Sequence, residues 1–145
     1  MKRIHTDGAC RGNPGPGGWA WAAGTTSYAS GAEAHTTNQR MELLAVIDAL
    51  RANPVGPIEI VSDSSYVVKC FNDKWHVGWL RRGWKNSQGQ PVANRDLWEE
   101  LLALALHSDR MVSFSWVKGH SGDVMNDFVD ALATVAADTQ RGQRS

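Results

Sequence analysis

The sequence is poor in the features that mark secreted, anchored or zinc-built proteins. It has two cysteines in 145 residues, Cys10 and Cys70. Two are too few for a disulfide framework and they form no CxxC pair. They read as reduced thiols in a cytosolic protein. No run of about 18 apolar residues occurs, which excludes an apolar helical span. The basic start, Met1-Lys2-Arg3, leads into no apolar stretch, so no secretory signal is expected. HExxH and GxSxG are missing, which removes support for a zinc hydrolase or a serine nucleophile. The glycine- and proline-rich segment 12–18 lacks the GK[ST] ending of a phosphate-binding loop, so an ATPase reading fails. There is no internal repeat and no low-complexity tract.

What is present is an ordinary folding composition, 42% apolar and 21% charged. At this length one domain with a self-sufficient core is expected. Fifteen basic and fifteen acidic residues cancel, which taken whole argues against a simple nucleic-acid binder. Their distribution does not cancel. Residues 69–95 carry Lys69, Lys74, Arg81, Arg82, Lys85 and Arg95 against Asp73 alone, and the remainder holds nine basic residues against fourteen acidic ones. A basic stripe attracts phosphates through counterion release, and acidic clusters can hold metal ions. Charge solvated on both parts is the simpler alternative.

Patterning predicts the order βββαβα(α)αβα. A first strand begins at Ile4 to Asp7 and enters the turn 12–18. Trp19-Ala20-Trp21-Ala22 alternates as a half-buried strand does, and Tyr28 to His35 reads as a third strand. Thr36 to Gln39 matches a capping box before a helix that Asn53-Pro54 ends. Ile58 to Ser62 reads as a strand, Ser64 to Phe71 as a short helix, and Asp96 to His107 as a strongly apolar helix. Val112 to Val117 alternates as a strand, 118–122 is a loop, and Asp123 to Ala137 is the last helix. The polar residues 139–145 read as a flexible tail on a domain of residues 1–138. Consecutive strands followed by helix-separated ones imply a mixed sheet with helices on its faces.

Four carboxylates fall at element ends or on half-buried faces: Asp7, Glu42, Asp63 and Asp130. Each alone has a plain explanation. Asp63 can cap the next helix, and Glu42 and Asp130 can face water. Together they fit another task. Hard divalent cations take oxygen ligands, and two such ions about 4 Å apart clamp the attacking and leaving oxygens of a phosphodiester. Spacing does not establish that the four converge. His120, between Gly119 and Ser121-Gly122, is suited to proton shuttling or is an ordinary surface histidine. Trp75, Trp79 and Trp84 interleave with Arg81, Arg82 and Lys85. Such a pattern suits nucleic acid, and equally a satellite core.

Five blocks then occur in order: Thr6 to Gly15, Thr36 to Leu43, Ser62 to Val67, Trp116 to Gly122, and Asn126 to Asp130. Together they resemble bacterial ribonuclease H type 1 over about residues 3–137. The resemblance implies an α/β ribonuclease H-like fold, with a five-stranded mixed sheet in the order 3-2-1-4-5, flanking helices and a basic handle at about 72–95. It implies endonucleolytic cleavage of RNA paired with DNA, with two Mg²⁺ ions that Mn²⁺ can replace, leaving 5′-phosphate and 3′-hydroxyl ends. By the same resemblance Asp7 bridges the two metals, Glu42 and Asp63 hold the ion near the leaving group, and Asp130 holds the one that activates water. His120 assists proton transfer or product release. Asn13, Asn38 and Gln39 fall where relatives contact the hybrid's minor groove, where the 2′-hydroxyl marks RNA. Trp75, Trp79, Arg81, Arg82 and Lys85 fall in the handle.

Two positions depart from the family pattern: Ser65 where Gln often stands, and Ala93 where Lys often stands. Both bear on hybrid affinity rather than on the chemistry. An RNA–DNA hybrid is the expected partner, with no membrane and no obligatory protein partner, in a cytoplasmic monomer. The alternatives are a four-carboxylate exonuclease on the same sheet, a catalytically dead hybrid-binding module, and a structural protein with an incidental motif match.

Overall fold

The computed structural model describes residues 1–106, 109–119 and 121–145. Its layers follow from the alternation at Trp19 to Ala22. Trp19 and Trp21 join one apolar cluster, whereas Ala20 and Ala22 join another. The two sets therefore serve opposite faces of one sheet.

In chain order the elements are β1 (Lys2–Cys10), β2 (Gly15–Gly24), β3 (Ser27–Thr36), α1 (Asn38–Ala52), β4 (Ile58–Ser62), α2 (Ser65–Asn72), α3 (Trp75–Arg81), α4 (Arg95–Leu106), β5 (Val112–Trp116) and α5 (Val124–Thr139). The sheet order is β3-β2-β1-β4-β5, as expected. β1, β2 and β3 pair antiparallel, and β4 and β5 add in parallel. β1 is thus the central strand. Its residues Ile4 to Asp7 are all buried.

On one face, Leu43, Val46, Ile47 and Leu50 of α1 meet Leu97, Trp98 and Leu101 of α4 over the larger core. On the other, Val129 and Ala133 of α5 meet Ala20 and Ala22. Small residues on both sides let α5 lie close to the sheet. At Gly18 an added Cβ would fall 2.3 Å from the Ala133 carbonyl oxygen and 2.6 Å from the Ala137 nitrogen.

Several local expectations are corrected. The cap of α1 is Thr37, not Thr36. Its hydroxyl accepts from the Arg40 amide at 3.3 Å, while Thr36 still pairs with Gly15 at the end of β3. The cap of α2 is Ser64, which accepts from the Val67 amide, so Asp63 is not spent on capping. Strand β2 begins at Gly15, inside the segment read as a turn.

Residues 142–145 are tied to β3 rather than loose. The Ser30 amide donates to the Gln143 carbonyl at 2.7 Å, and the Ser145 amide donates to the Tyr28 carbonyl at 3.0 Å. Arg144 also reaches Asp48 of α1 at 3.2 Å. Residues 72–95 hold α3 and a loop closed by pairing of Lys85 with Pro91. The helix end expected at His107 lies outside the described residues. No helix among the described residues is long and apolar enough to cross a membrane.

Because both atoms nearest Gly18 are helix backbone, they cannot swing aside. Gly18→Ala is expected to destabilise the fold by about 1–3 kcal/mol. Thermal unfolding should show this as a fall of about 3–10 °C.

Candidate active site

Asp7 lies in the C-terminal half of the central strand, and Asp63 directly follows β4. Parallel pairing of Thr6 with Ser62 sets the two side by side. Glu42 is brought in by α1. Gly8 makes that approach possible, because an added Cβ there would fall 2.6 Å from the Glu42 nitrogen and 2.8 Å from the Met41 carbonyl carbon. One carboxylate oxygen from each of Asp7, Glu42 and Asp63 lies within 4.8 Å of the other two. Asp130, on α5, stands near enough to add to the rise of the Asp7 pKa. The structure therefore brings Asp7, Glu42 and Asp63 together at the ends of β1 and β4, with Asp130 nearby on α5.

Water is largely excluded from two of them. Asp7 is 3% exposed and Glu42 5%. Burial first, then the charge of Asp63, pushes the Asp7 carboxyl up to about 8, against the pull of the Gly8 amide, which donates to Asp7 Oδ1 at 2.9 Å. Burial and the charges of Asp7 and Asp63 hold Glu42 well above the usual carboxylate range. Glu42 Oε2 is buried with no hydrogen-bond partner among the described residues. A buried lone pair of this kind normally has a donor or a metal. The donor set is all oxygen, with an orphaned atom at its centre, and it fits a hard divalent cation.

The flanks are built to hold this arrangement. Asn126 is 2% exposed and its amide nitrogen lies 3.4 Å from Asp63 Oδ2. It stands four residues before Asp130, so both share one side of α5. Asp123 caps α5 by accepting from the Asn126 amide at 2.8 Å, and His5 Nε2 lies 3.7 Å from the same Asp123 oxygen. Burial lowers the His5 pKa. Gly119 leaves room for Asp63, since a Cβ there would sit 2.8 Å from Asp63 Oδ2. Sequence reasoning assigned no role to Asn126, Gly119 or Gly8. The four-residue step from Asn126 to Asp130 was the available signal for the first. For the glycines nothing local distinguishes a close approach from a turn.

Asn38 and Gln39 line an open cavity of about 450 Å³ together with Glu42, Asp63 and Ser65. Asn13 stands beside it, its Oδ1 accepting from the Asn38 amide at 2.9 Å. Gln39 adjoins a polar network in which Tyr66 Oη accepts from Trp98 Nε1 at 2.8 Å and from Asn94 Nδ2 at 3.2 Å. Arg40 grips Asp96 through two bonds of 2.7 and 3.0 Å, which lowers the Asp96 pKa to about 2.

Trp75, Trp79 and Arg82 line a separate groove of about 290 Å³, and Arg81 and Lys85 are exposed. Trp79 is different. It is 8% exposed and sits in the larger core, with its ring centroid 5.2 Å from that of Trp98 and 6.0 Å from that of Trp84. It packs into the core and also lines that groove. His120 lies outside the described residues.

A model of the RNase H family matches residues 1–138. The chain belongs to the RNase H family. A ribonuclease H from Pelobacter propionicus is 51% identical over 144 residues, covering 96% of this chain and 86% of the relative. A ribonuclease H from Thermus thermophilus is 47% identical over 142 residues, covering 94% and 84%. Among solved structures, LC9-RNase H1, described as a type 1 RNase H with the type 2 active-site motif, is 30% identical. Its TM-score is 0.81, covering 99% of this chain and 76% of that one. LC11-RNase H1, solved in complex with an RNA/DNA hybrid, shares the fold at 21% identity and a TM-score of 0.73, covering 94% and 96%.

The raised Asp7 pKa has a consequence for this ribonuclease H when metal is withheld. The folded state binds a proton that the unfolded state, near 3.8, has released. Stability of the metal-free protein therefore falls as pH rises from about 4 to about 8. Asp7→Asn should flatten that slope and raise the metal-free melting temperature at pH 7.5 by about 3 °C or more. Thermal unfolding with chelator across this range checks both.

Proposed function

We infer that the Asp7–Glu42–Asp63–Asp130 cluster is the catalytic centre with which this ribonuclease H hydrolyses the RNA strand of RNA–DNA hybrids. The observation that carries the reading is the convergence of the carboxylates around an unpartnered, buried Glu42 oxygen. Phosphodiester hydrolysis needs a nucleophilic water and relief of charge on the attacking and leaving oxygens. Divalent ions supply both when bound. Asp7, Glu42, Asp63 and Asp130 would hold two Mg²⁺ ions, with Mn²⁺ able to substitute. The products are 5′-phosphate and 3′-hydroxyl ends.

The remaining residues orient the substrate and move protons. Asn13, Asn38 and Gln39 border the cluster and offer amide groups to the minor groove, where a 2′-hydroxyl distinguishes RNA from DNA. Trp75, Arg81, Arg82 and Lys85 hold the backbone farther along, by aromatic contact and by phosphate pairing. Trp79 lines the groove of Trp75 and Arg82 and anchors it in the core. His120 exchanges a proton at the scissile phosphate or aids product release. Two unpaired thiols, Cys10 and Cys70, suit a cytoplasmic setting, and the enzyme acts as a monomer.

The deciding assay uses an internally labelled hybrid with both RNA ends blocked. Internal cuts confined to the RNA of the hybrid are expected with Mg²⁺ or Mn²⁺ and none with chelator. Asp7→Asn should lower kcat about a thousandfold, equivalent to about 4 kcal/mol. Binding without cutting in either metal would leave a hybrid-binding module, and failure on blocked ends alone would leave an exonuclease.

A second measurement isolates the proton step. His120→Ala should lower kcat roughly a hundredfold while leaving hybrid binding within about twofold. An unchanged kcat would remove His120 from the mechanism.

A further inference from the structure

Trp116 ends β5 and is 56% exposed, although an indole is among the most favourable groups to bury. The ring is held in place. Its Nε1 donates to the Asp63 carbonyl oxygen at 3.1 Å, so it stands at the edge of the carboxylate cluster. It forms one wall of a groove of about 450 Å³ lined also by Ser65, Val68, Lys69, Asn72 and Asp73. Ser65 lines the cavity of Glu42 and Asp63 as well. The two concavities adjoin there, and the second adds an aromatic plane and a cation to the first.

We propose that this groove is a subsite for an unpaired ribonucleotide of the RNA strand next to the hybrid, with its base stacked on Trp116 and its phosphate paired with Lys69. This rests on the reading of the carboxylate cluster as the cleavage centre.

The chemistry selects the occupant. Every base has a π-face, and stacking on an exposed aromatic ring tolerates any sequence. A base inside a duplex has both faces covered by its neighbours, so the ring has no use for a paired one. The groove starts at Asp63, so the strand that reaches it is the one lying on the carboxylates, which is the RNA. Lys69 supplies the counter-charge for one phosphate. Asp73, just past the end of α2, places a negative charge on the same lining and works against a longer anionic tract.

The test measures KM and kcat with Mg²⁺ for hybrids of one paired sequence. One is blunt, two carry a few unpaired RNA nucleotides at either end, and two carry unpaired DNA. The full chain is compared with Trp116→Ala, Trp116→Phe and Lys69→Glu. An RNA flank at one end should lower the wild-type KM at least about fivefold relative to blunt hybrid, given the strength of base–aromatic stacking. Trp116→Ala and Lys69→Glu should lose that advantage, and Trp116→Phe, which keeps a ring, should retain most of it.

Both Trp116 variants lose the bond to the Asp63 carbonyl, so a shared change in kcat on blunt hybrid reports that bond and not the subsite. The ratio of KM values within each variant is independent of how much of it folds. Equal KM for blunt and RNA-flanked hybrids would overturn the proposal. So would an advantage from DNA flanks alone, or loss of the advantage in Trp116→Phe as complete as in Trp116→Ala. Failure of the wild type to cut blunt hybrid at all would instead overturn the underlying reading of the site.

Discussion

Mutual repulsion among Asp7, Glu42 and Asp63, sharpened by burial, is the force that the surrounding structure has to resist. With oxygens within 4.8 Å, two full negative charges repel by about 3–4 kcal/mol at an effective dielectric near 20. Asp7 and Glu42 also lose nearly all contact with water. Left to themselves, such groups would take up protons or move apart. The raised pKa values record the first tendency, and the backbone blocks the second. Asp7 is fixed in the central strand, paired on both sides. Glu42 is fixed in the first turns of a helix pressed against Gly8. Neither can retreat without unmaking a pairing or an apolar contact in the core.

The neighbouring elements serve the same end by relieving the carboxylates of other duties. Thr37, Ser64 and Asp123 cap α1, α2 and α5. Asp63 is therefore free to turn toward the cluster, although it precedes a helix and is a residue type that caps well. Asn126 steadies one Asp63 oxygen with a neutral donor, which orients the group without cancelling its charge. A lysine in its place would neutralise the site, and an apolar residue would leave it loose. Close packing of α5 on β2, allowed by Gly18 and the alanines around it, sets where Asn126 and Asp130 stand. Apolar complementarity on the far face of the sheet thus positions two polar groups at its edge.

How much of this was legible in the sequence depends on whether the information is local. The element order was readable, because β-rich runs, caps and apolar periodicity are short-range signals that agree with one another, whereas the sheet order followed only from the family resemblance. The cap of α1 was placed one residue early because Thr36 and Thr37 both qualify, and only strand pairing of Thr36 separates them. The anchoring of residues 142–145 was not readable. It rests on backbone hydrogen bonds to an edge strand, which leave no mark on side-chain pattern. The same holds for the carboxylates. Their residue types and their places at element ends were visible, but their convergence depends on how closely α1 rests on β1 at Gly8. A missing side chain matters there only because of what packs opposite. Trp79 shows the converse ambiguity. Aromatic residues among cations look alike whether a ring faces solvent or the core, and Trp79 packs on Trp98 while it lines the groove with Trp75 and Arg82.

That placement of Trp79 bears on how the two charge regions cooperate. The basic residues of 69–95 would help little if they rode on a loose segment, because long side chains on a mobile backbone lose in ordering entropy what they gain in Coulomb attraction. Trp79, Trp84 and Trp98 form a chain of ring contacts from α3 into the core. Arg95 lies over the Trp84 ring at 5.1 Å. The tryptophans therefore tie the cationic segment to the helix layer that also carries Glu42. Through Tyr66 and Asn94 the polar network extends that tie to Gln39, at the mouth of the carboxylate cavity. The acidic centre and the basic surface are thereby fixed at a set separation by one apolar framework.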